Sequence, residues 1–177
     1  MAGQPVRTKE IQDGAGKDGR FRFGVAAMQG WRDEMEDAHL ALPDFDVGRG
    51  LGLFGVFDGH GGSAVAEIVA ERLAETLRSL ASYQEGRYPD ALTEAFLALD
   101  EYLASPQGRK AVRILSDDFE GPDGMGCTAV VALVSSGAKP ELHVANAGDS
   151  RCVLVSGVSA VNMSKDHVPS LPEERRR

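Results

Sequence analysis

Hydrophobic residues in this chain change their spacing twice, and this change constrains the fold more than any other feature. They alternate with other residues over 21–28, fill most of 53–57, recur every three or four residues over 65–80 and 92–103, and form short apolar runs after residue 127. A two-residue period is typical of strands and a three-to-four-residue period is typical of amphipathic helices. The order of strands, helices and strands predicts an α+β fold with largely antiparallel pairing, because repeated βαβ units would alternate the two patterns.

Capping and breaking residues place the ends of the helices. Ser63 is a suitable N-cap for the first helix, Pro89 suits the first turn of the second, and the Ser105-Pro106 step ends the second. Residues 107–118 could continue as a helix, whereas residues 119–126 contain the glycine and proline breakers of a loop. Two successive helices can therefore cover one face of the sheet.

Polar and turn-forming residues divide the remainder of the chain. Residues 1–20 are polar without a periodic apolar face, so they predict a flexible segment before a folded unit over 21–177. Residues 43–50 are typical of a hairpin connection, and residues 152–155 and 158–161 flank Gly157 as a second hairpin. We therefore expect one domain, or part of one.

The composition indicates a globular protein and excludes several classes of partner. The chain has 177 residues, of which 42% are hydrophobic and 26% charged, and its formal net charge is −8. That charge argues against nucleic-acid binding and suits divalent cations or basic peptides. The N-terminus has no apolar signal core and no apolar run is long enough to span a membrane, so we expect a cytoplasmic or nuclear protein. Cys127 and Cys152 lie in apolar segments and are expected to be buried free thiols.

A carboxylate and an imidazole follow the most apolar of the predicted strands. Asp58 and His60 come directly after Phe57 and alternate with glycines, whose flexibility permits a sharp turn. An Asp-Gly turn of this kind is also common where it has no function. The pair is therefore a candidate site only if other polar residues join it.

Three further acids lie in loops or at strand ends. Together with Asp58, the residues Glu36, Asp37 and Asp149 supply the hard carboxylate oxygens that Mg²⁺ or Mn²⁺ prefers. Two such ions can share a carboxylate and activate a bridging water. The alternative is that these are solvated loop acids, because spacing alone does not bring them together.

Two cationic or titratable side chains could complete a phosphate site. The guanidinium of Arg32 matches two oxygens of a phosphate group, and His60 could donate a proton to a leaving oxygen. The alternatives are a surface cation for Arg32 and a capping or surface residue for His60.

Five groups of residues, taken in order, resemble the successive motifs of the metal-dependent protein phosphatases of type 2C. The resemblance extends from residue 21 to about residue 175, and the segments 127–133 and 144–152 are most similar to the gamma-type members. The groups are Met28-Gln29-Gly30-Trp31-Arg32 with Met35-Glu36-Asp37-Ala38-His39, then Phe57-Asp58-Gly59-His60-Gly61-Gly62, Gly126-Cys127-Thr128-Ala129, Val144-Ala145-Asn146-Ala147-Gly148-Asp149-Ser150-Arg151, and Asp166-His167 with Pro169.

The resemblance implies a four-layer αββα sandwich, in which two antiparallel sheets are flanked by helices and a centre of two Mg²⁺ or Mn²⁺ ions lies at one end. It implies that Asp58 bridges both ions and that the Gly59 carbonyl and the Glu36 carboxylate serve the second ion. Asp37 would support these ligands, and Asp149 would help to hold a weaker third ion.

The resemblance also implies a reaction and a class of substrate. Arg32 would hold the phosphate of a phosphorylated protein, and His60 would be the general acid that protonates the departing serine or threonine oxygen. A metal-activated water would attack phosphoserine or phosphothreonine without forming a phosphoenzyme. These roles agree with the need for charge neutralisation and leaving-group protonation.

The chain departs from the family pattern after the Asp166-His167 motif. Family members continue well beyond this point with two more metal-binding aspartates, which no residue here matches. The resemblance therefore implies the N-terminal portion of a catalytic domain, truncated after its first half, in which Asp58 and water alone would hold the first metal. Two functions stay open: a protein serine/threonine phosphatase, or a non-catalytic regulatory or phosphopeptide-binding module on the same scaffold.

Overall fold

A computed structural model describes residues 4–116 and 123–176, and these residues form strands, then helices, then strands, as predicted. The antiparallel α+β class is therefore confirmed. The strands before the helices are β1 (Glu10–Ala15), β2 (Arg22–Ala27), β3 (Ala38–Asp46), β4 (Leu51–Phe57) and β5 (Gly59–His60). The helices are α1 (Ala64–Ser79), α2 (Ala81–Gln84), α3 (Tyr88–Ala104) and α4 (Pro106–Ser116). The later elements are β6 (Gly126–Cys127), β7 (Ala129–Ser135), β8 (Leu142–Ala147), β9 (Val153–Ser156), β10 (Ser159–Asn162) and α5 (Pro172–Arg176).

The strand β4 lies inside the main sheet, which has the order β3-β4-β7-β8 with every neighbouring pair antiparallel. Leu53 and Phe57 of β4 are fully buried. Because side chains alternate along a strand, Phe54 lies on the opposite face of the sheet from these two residues. The polar residues that follow Phe57 are thus positioned by a well-protected strand.

The helices α1 and α3 cover one face of this sheet. Leu73 of α1 and Leu92 of α3 belong to the same core cluster as Leu53 and Leu133 of the sheet. Complete burial of each such side chain contributes about 1.5–3 kcal/mol, so the cluster fixes α1 against β3 and β4. Ser63 occupies the N-cap position of α1, as predicted, although its hydroxyl makes no capping hydrogen bond.

A ribbon of β1 and β2 lies against the other face of the sheet. The rings of Phe21 and Phe23 contact Phe54, with ring centroids 6.3 and 6.4 Å apart. The expectation of a flexible segment over residues 1–20 is wrong for Glu10–Ala15, which pairs antiparallel with Arg22–Ala27. Most of β1 is exposed, so its order comes from backbone hydrogen bonds that leave no hydrophobic alternation in the sequence.

The connection between β3 and β4 is shorter than predicted. The strand β3 continues through Pro43 to Asp46, and the pairing register shifts between Leu42 and Asp46. Such an irregularity accommodates a proline within a strand, because proline has no amide to donate. The turn itself is confined to residues 47–50.

The other boundaries agree closely with the sequence patterns. The helix predicted over residues 107–118 is confirmed as far as Ser116, and residues 117–122 lie outside the described part of the chain. The predicted loop over 119–126 is wrong at Gly126, which forms part of the two-residue strand β6. The hairpin of β9 and β10 is confirmed. Among the described helices, none is long and apolar enough to cross a membrane.

Candidate active site

Asp58 lies at the point where the main sheet ends and a small second pairing begins. The amide of Thr128 donates a hydrogen bond to the Asp58 carbonyl at 2.8 Å, and the Asp58 amide donates to the Thr128 hydroxyl oxygen Oγ1 at 3.3 Å. The side chain of Asp58 is exposed. The backbone of Asp58 is therefore fixed from both sides while its carboxylate faces solvent.

The strand β5 brings the loop before β3 against the end of β4. Gly59 pairs with Cys127, and a Cβ atom on Gly59 would lie only 2.3 Å from the Glu36 carbonyl oxygen. No side chain fits in that space, because real Cβ contacts of this length do not occur. Glycine at position 59 thus allows the Glu36 backbone to approach Asp58.

The carboxyl groups of Asp37 and Asp58 lie close enough to affect each other. Partial burial raises the pKa of Asp37 above its usual value, and the negative charge and the hydrogen bond of Asp58 raise it further. The nearby guanidinium of Arg32 has the opposite effect, and the charge of Glu36 adds to the increase. Arg32, Glu36 and Asp58 therefore all act electrostatically on Asp37.

The carboxylate of Glu36 has a different role within this cluster. Its oxygen Oε1 accepts a hydrogen bond from the backbone amide of Gly62 at 2.5 Å. The side chain consequently anchors the turn that leads from β5 into α1.

The carboxylates of the site offer oxygens to a divalent cation. Asp37 and Asp58 offer adjacent oxygens of the kind that suit Mg²⁺, which keeps several waters and binds proteins through one or two carboxylates. Across residues 4–116 and 123–176, no three acidic, histidine or cysteine side chains form a group that could hold a metal. The residues present therefore fit a partly hydrated ion on two carboxylates, and a richer set of protein ligands is not assembled in the described residues.

Arg32 lies on a loop whose backbone is held by Gln29. The side-chain amide of Gln29 donates hydrogen bonds to the carbonyl oxygens of Arg32 and Asp33, both at 2.9 Å. The guanidinium of Arg32 is exposed and forms no hydrogen bond or ion pair with the described residues. It is close enough to Asp37 to influence that carboxyl and remains available to an anionic ligand.

The imidazole of His60 lies over the backbone of Gly126. A Cβ atom on Gly126 would be 2.7 Å from the ring nitrogen Nε2, so glycine at this position makes room for the ring. His60 is exposed, and it also lines a cavity of about 650 Å³ between α1, α3 and the strands β6 to β8. An exposed imidazole is thus present two residues after Asp58.

Asp149 follows β8 in a loop that is joined to Asp58 through Thr128. The hydroxyl of Thr128 lies 2.6 Å from the Ser150 hydroxyl, and Gly148 packs directly against the Thr128 side chain. The Asp149 carboxylate is exposed and has no hydrogen bond or ion pair to the described residues. The structure therefore connects the two loops without bringing Asp149 into the Asp37–Asp58 pair.

Two positioning residues were not singled out from the sequence. Thr128 bonds to both Asp58 and Ser150, and Gln29 holds the Arg32 loop. Each lies within one of the five motifs, and Thr128 is a hydroxyl residue within an otherwise apolar segment. A hydroxyl residue within an apolar segment was the sequence signal that could have identified Thr128.

The cysteines are free and half-buried, which confirms free thiols but not full burial. Burial, followed by the negative charge of Asp58, raises the pKa of Cys127 to about 11. Burial also raises the pKa of Cys152. Both thiols are consequently protonated near neutral pH, so neither supplies a thiolate nucleophile.

Known structures share the fold of this chain. This chain matches a crystal structure of serine-threonine phosphatase 2C from Toxoplasma gondii with a TM-score of 0.65 and 22% sequence identity. The match covers 98% of this chain and 55% of the Toxoplasma chain. A structure of a C. elegans sex determining protein has a TM-score of 0.62 and 22% identity, with 98% of this chain and 38% of that one covered. The fold predicted from the type 2C resemblance is confirmed by this likeness.

Sequence relatives are more similar. Protein phosphatase 2C 1 of Paramecium tetraurelia is 42% identical over 174 residues, which are 98% of this chain and 56% of the relative. Probable protein phosphatase 2C 21 of Arabidopsis thaliana is 36% identical over 209 aligned residues, with 98% and 57% covered. The chain thus spans about half the length of these curated relatives. The family model described as Protein phosphatase 2C matches residues 21–177. The chain therefore belongs to the protein phosphatase 2C family.

Proposed function

We propose that this chain carries the phosphate-binding and acid–base half of a protein serine/threonine phosphatase dependent on Mg²⁺ or Mn²⁺. The observation that carries the proposal is the interaction of Asp37 with Asp58. The Arg32 guanidinium, which also acts on Asp37, forms no ion pair with the described residues, and His60 is exposed. Paired carboxylates, a phosphate-matching cation and a proton donor are the groups that metal-assisted phosphate hydrolysis requires.

Asp37 and Asp58 would be the principal protein ligands of the divalent cations. The Gly59 carbonyl and the Glu36 carboxylate would add to them, directly or through water, and Asp149 would contribute to a weaker third ion. When bound, such ions neutralise phosphate charge and lower the pKa of a water molecule. They would also offset the negative charges of the two adjacent carboxylates, and it is burial, followed by the charge of Asp58, that raises the pKa of Asp37.

Arg32 and His60 would act on the substrate itself. The Arg32 guanidinium would donate two parallel hydrogen bonds to the phosphate oxygens and so orient the phosphorus for attack by water. As the bond from phosphorus to the serine or threonine oxygen breaks, His60 would transfer its proton to that oxygen. The products would be the protein hydroxyl and inorganic phosphate.

The substrates would be phosphorylated proteins in the cytoplasm or nucleus. A basic peptide segment suits the formal charge of −8. Two half-buried free thiols suit a reducing compartment.

Phosphate release from a phosphoserine peptide with Mn²⁺ tests the proposal, and isothermal titration of Mn²⁺ provides a readout that does not depend on turnover. We expect Asp58→Ala to abolish release and weaken Mn²⁺ binding, and Arg32→Ala to weaken peptide binding while Mn²⁺ binding persists. Asp13→Ala is the matched control, because Asp13 is an exposed acid on β1. Equal phosphate release by the wild type and Asp58→Ala would overturn the proposal. Phosphate-dependent peptide binding without release would favour the non-catalytic module.

A further inference from the structure

Trp31 is the one tryptophan of the chain, and its side chain is 72% exposed. Two more apolar side chains of this region are also exposed, Met28 at 47% and Val6 at 44%. Val6 is joined to the Trp31 loop because its backbone exchanges two hydrogen bonds with Gly30, at 2.8 and 3.0 Å. Met28 and Trp31 thus lie close to Arg32 in the chain, and backbone pairing ties Val6 to the same loop.

The loop that presents the indole is held in place. Gln29 bonds to the carbonyls of Arg32 and Asp33 on one side of Trp31, and the pairing of Val6 with Gly30 fixes the other side. Gly30 has a φ of +66°, which favours glycine, and a Cβ atom there would meet nothing within 4 Å. The exposed indole therefore lies on a loop whose backbone is held on both sides, so ordering this loop on ligand binding costs little entropy.

Arg32 and then two acidic residues, Asp33 and Glu34, follow Trp31 in the chain. Asp33 and Glu34 are exposed, and neither side chain forms an ion pair with the described residues. Their charges are therefore free to attract a cation, and the formal charge of the chain as a whole is −8. Once the substrate phosphate takes up the charge of Arg32, an exposed aromatic face followed in the loop by two carboxylates is complementary to a guanidinium, which can stack on the ring.

We propose that Trp31 is a specificity determinant that stacks against an arginine side chain of the phosphorylated peptide, close in sequence to the residue whose phosphate Arg32 holds. This inference rests on the proposed function, since it takes Arg32 as the phosphate holder. Consecutive Cα atoms are 3.8 Å apart, so residues 31 and 32 can contact two substrate residues that are only a few positions apart in the peptide. The apolar Val6 and Met28 would contact the methylene stem of the arginine.

Peptides with the non-hydrolysable phosphonate analogue of phosphoserine test the inference in the presence of Mg²⁺. The series differs only in the residues flanking the analogue, which are arginine, leucine or glycine, and each peptide has a version with plain serine. Fluorescence anisotropy of a labelled peptide measures its binding. Trp31 is the single tryptophan of the chain, so tryptophan fluorescence reports whether a ligand contacts its indole.

We expect the arginine peptide to bind most tightly and to change the emission of Trp31. Trp31→Ala should weaken its binding about two- to fivefold, as expected for an exposed cation–π contact, and Trp31→Phe should recover part of that loss. The same substitutions should leave the glycine peptide nearly unaffected. Ile114→Ala is the matched control, because Ile114 is also 72% exposed but lies on α4.

Each contrary result has a distinct meaning. Tight binding that depends on the phosphonate and on Arg32, yet is indifferent to Trp31, would overturn this inference alone. Preference for leucine over arginine would overturn the assignment of an arginine partner. Binding that needs neither the phosphonate nor Arg32 would refute the proposed phosphate site, and the inference with it.

Discussion

The Glu36 carboxylate and the Gly62 amide are joined by a hydrogen bond of 2.5 Å. The bond links the loop that carries Arg32 and Asp37 to the turn that leads into α1. An acid that the family resemblance assigns to metal binding therefore also holds two parts of the site together.

Replacing Glu36 separates these two roles. Glu36→Ala removes the acceptor of the Gly62 amide, and we expect a loss of about 1.5–3 kcal/mol in the free energy of unfolding. Glu36→Gln keeps an acceptor oxygen and should lose less stability, although it removes the charge. Urea denaturation checks both variants, with the exposed neighbour Glu34→Ala as the control. Wild-type stability in Glu36→Ala would contradict the anchoring role.

The contact of Gly59 with the Glu36 backbone predicts a second effect. Gly59→Ala would bring Cβ to 2.3 Å from a carbonyl oxygen that cannot rotate away, so the loop and β5 must separate. We expect a destabilisation of about 1–3 kcal/mol, in the range for overpacked sites. Gly137→Ala is the control, because its Cβ would have open space. Thermal unfolding followed by circular dichroism measures the difference, and similar midpoints for the two variants would show that the close approach is absent.

Thr128 predicts a coupling between the Asp58 and Asp149 loops. Thr128→Val keeps the shape of the side chain but removes the oxygen that accepts from the Asp58 amide and contacts Ser150. We expect a loss of about 1–3 kcal/mol and shifted NMR amide resonances of both Asp58 and Ser150. Thr128→Ser retains the hydroxyl and should keep those resonances near their wild-type positions. Shifts confined to one of the two loops would exclude the coupling.

The pair of Asp46 and Tyr83 predicts an acid dependence of stability. Partial burial alone would raise the pKa of Asp46, but the Tyr83 hydroxyl, which donates at 2.7 Å, and the backbone and charge of Arg49 lower it below its usual value. A lowered folded-state pKa means that this contribution is fully present above the unfolded-state value of about 3.9 and is lost as pH falls through the folded-state value.

Urea unfolding between pH 2.5 and 7 would measure this contribution. We expect Asp46→Asn to be less stable than the wild type at pH 7 and the difference to shrink below about pH 4. Tyr83→Phe should show the same trend to a smaller degree, since Arg49 still faces the carboxylate. Parallel curves of stability against pH for the wild type and Asp46→Asn would rule out the pKa shift.

The sequence predicted those parts of the site that depend on a regular element. Phe57 ends a strand of apolar residues, so the positions of Asp58 and His60 followed from a local pattern. The encounter of Asp37 with Asp58 depends on how the loop folds back across the sheet, and the family resemblance rather than any spacing pointed to it. The bond from Gly62 to Glu36 could not be predicted in this way, because it joins two irregular segments whose side chains follow no period.

The errors in the fold have the same origin. The strand β1 is exposed and binds its neighbour through the backbone, so side-chain hydrophobicity gave no signal for Glu10–Ala15. The extension of β3 through Pro43 was missed because a proline usually ends a strand, whereas the shifted register tolerates it here.

The position of Asp58 after the buried strand β4 has a consequence for how the site can move. Amides of β4 are paired on both sides, so their exchange with solvent hydrogen requires opening of the sheet at a cost close to that of global unfolding. The loop with Arg32 is exposed and only a few hydrogen bonds, from Gln29 and between Gly30 and Val6, hold it, so opening it costs less than opening the sheet. The side of the site that bears Asp58 thus resists deformation, while the side that would meet the phosphate can adjust to different ligands.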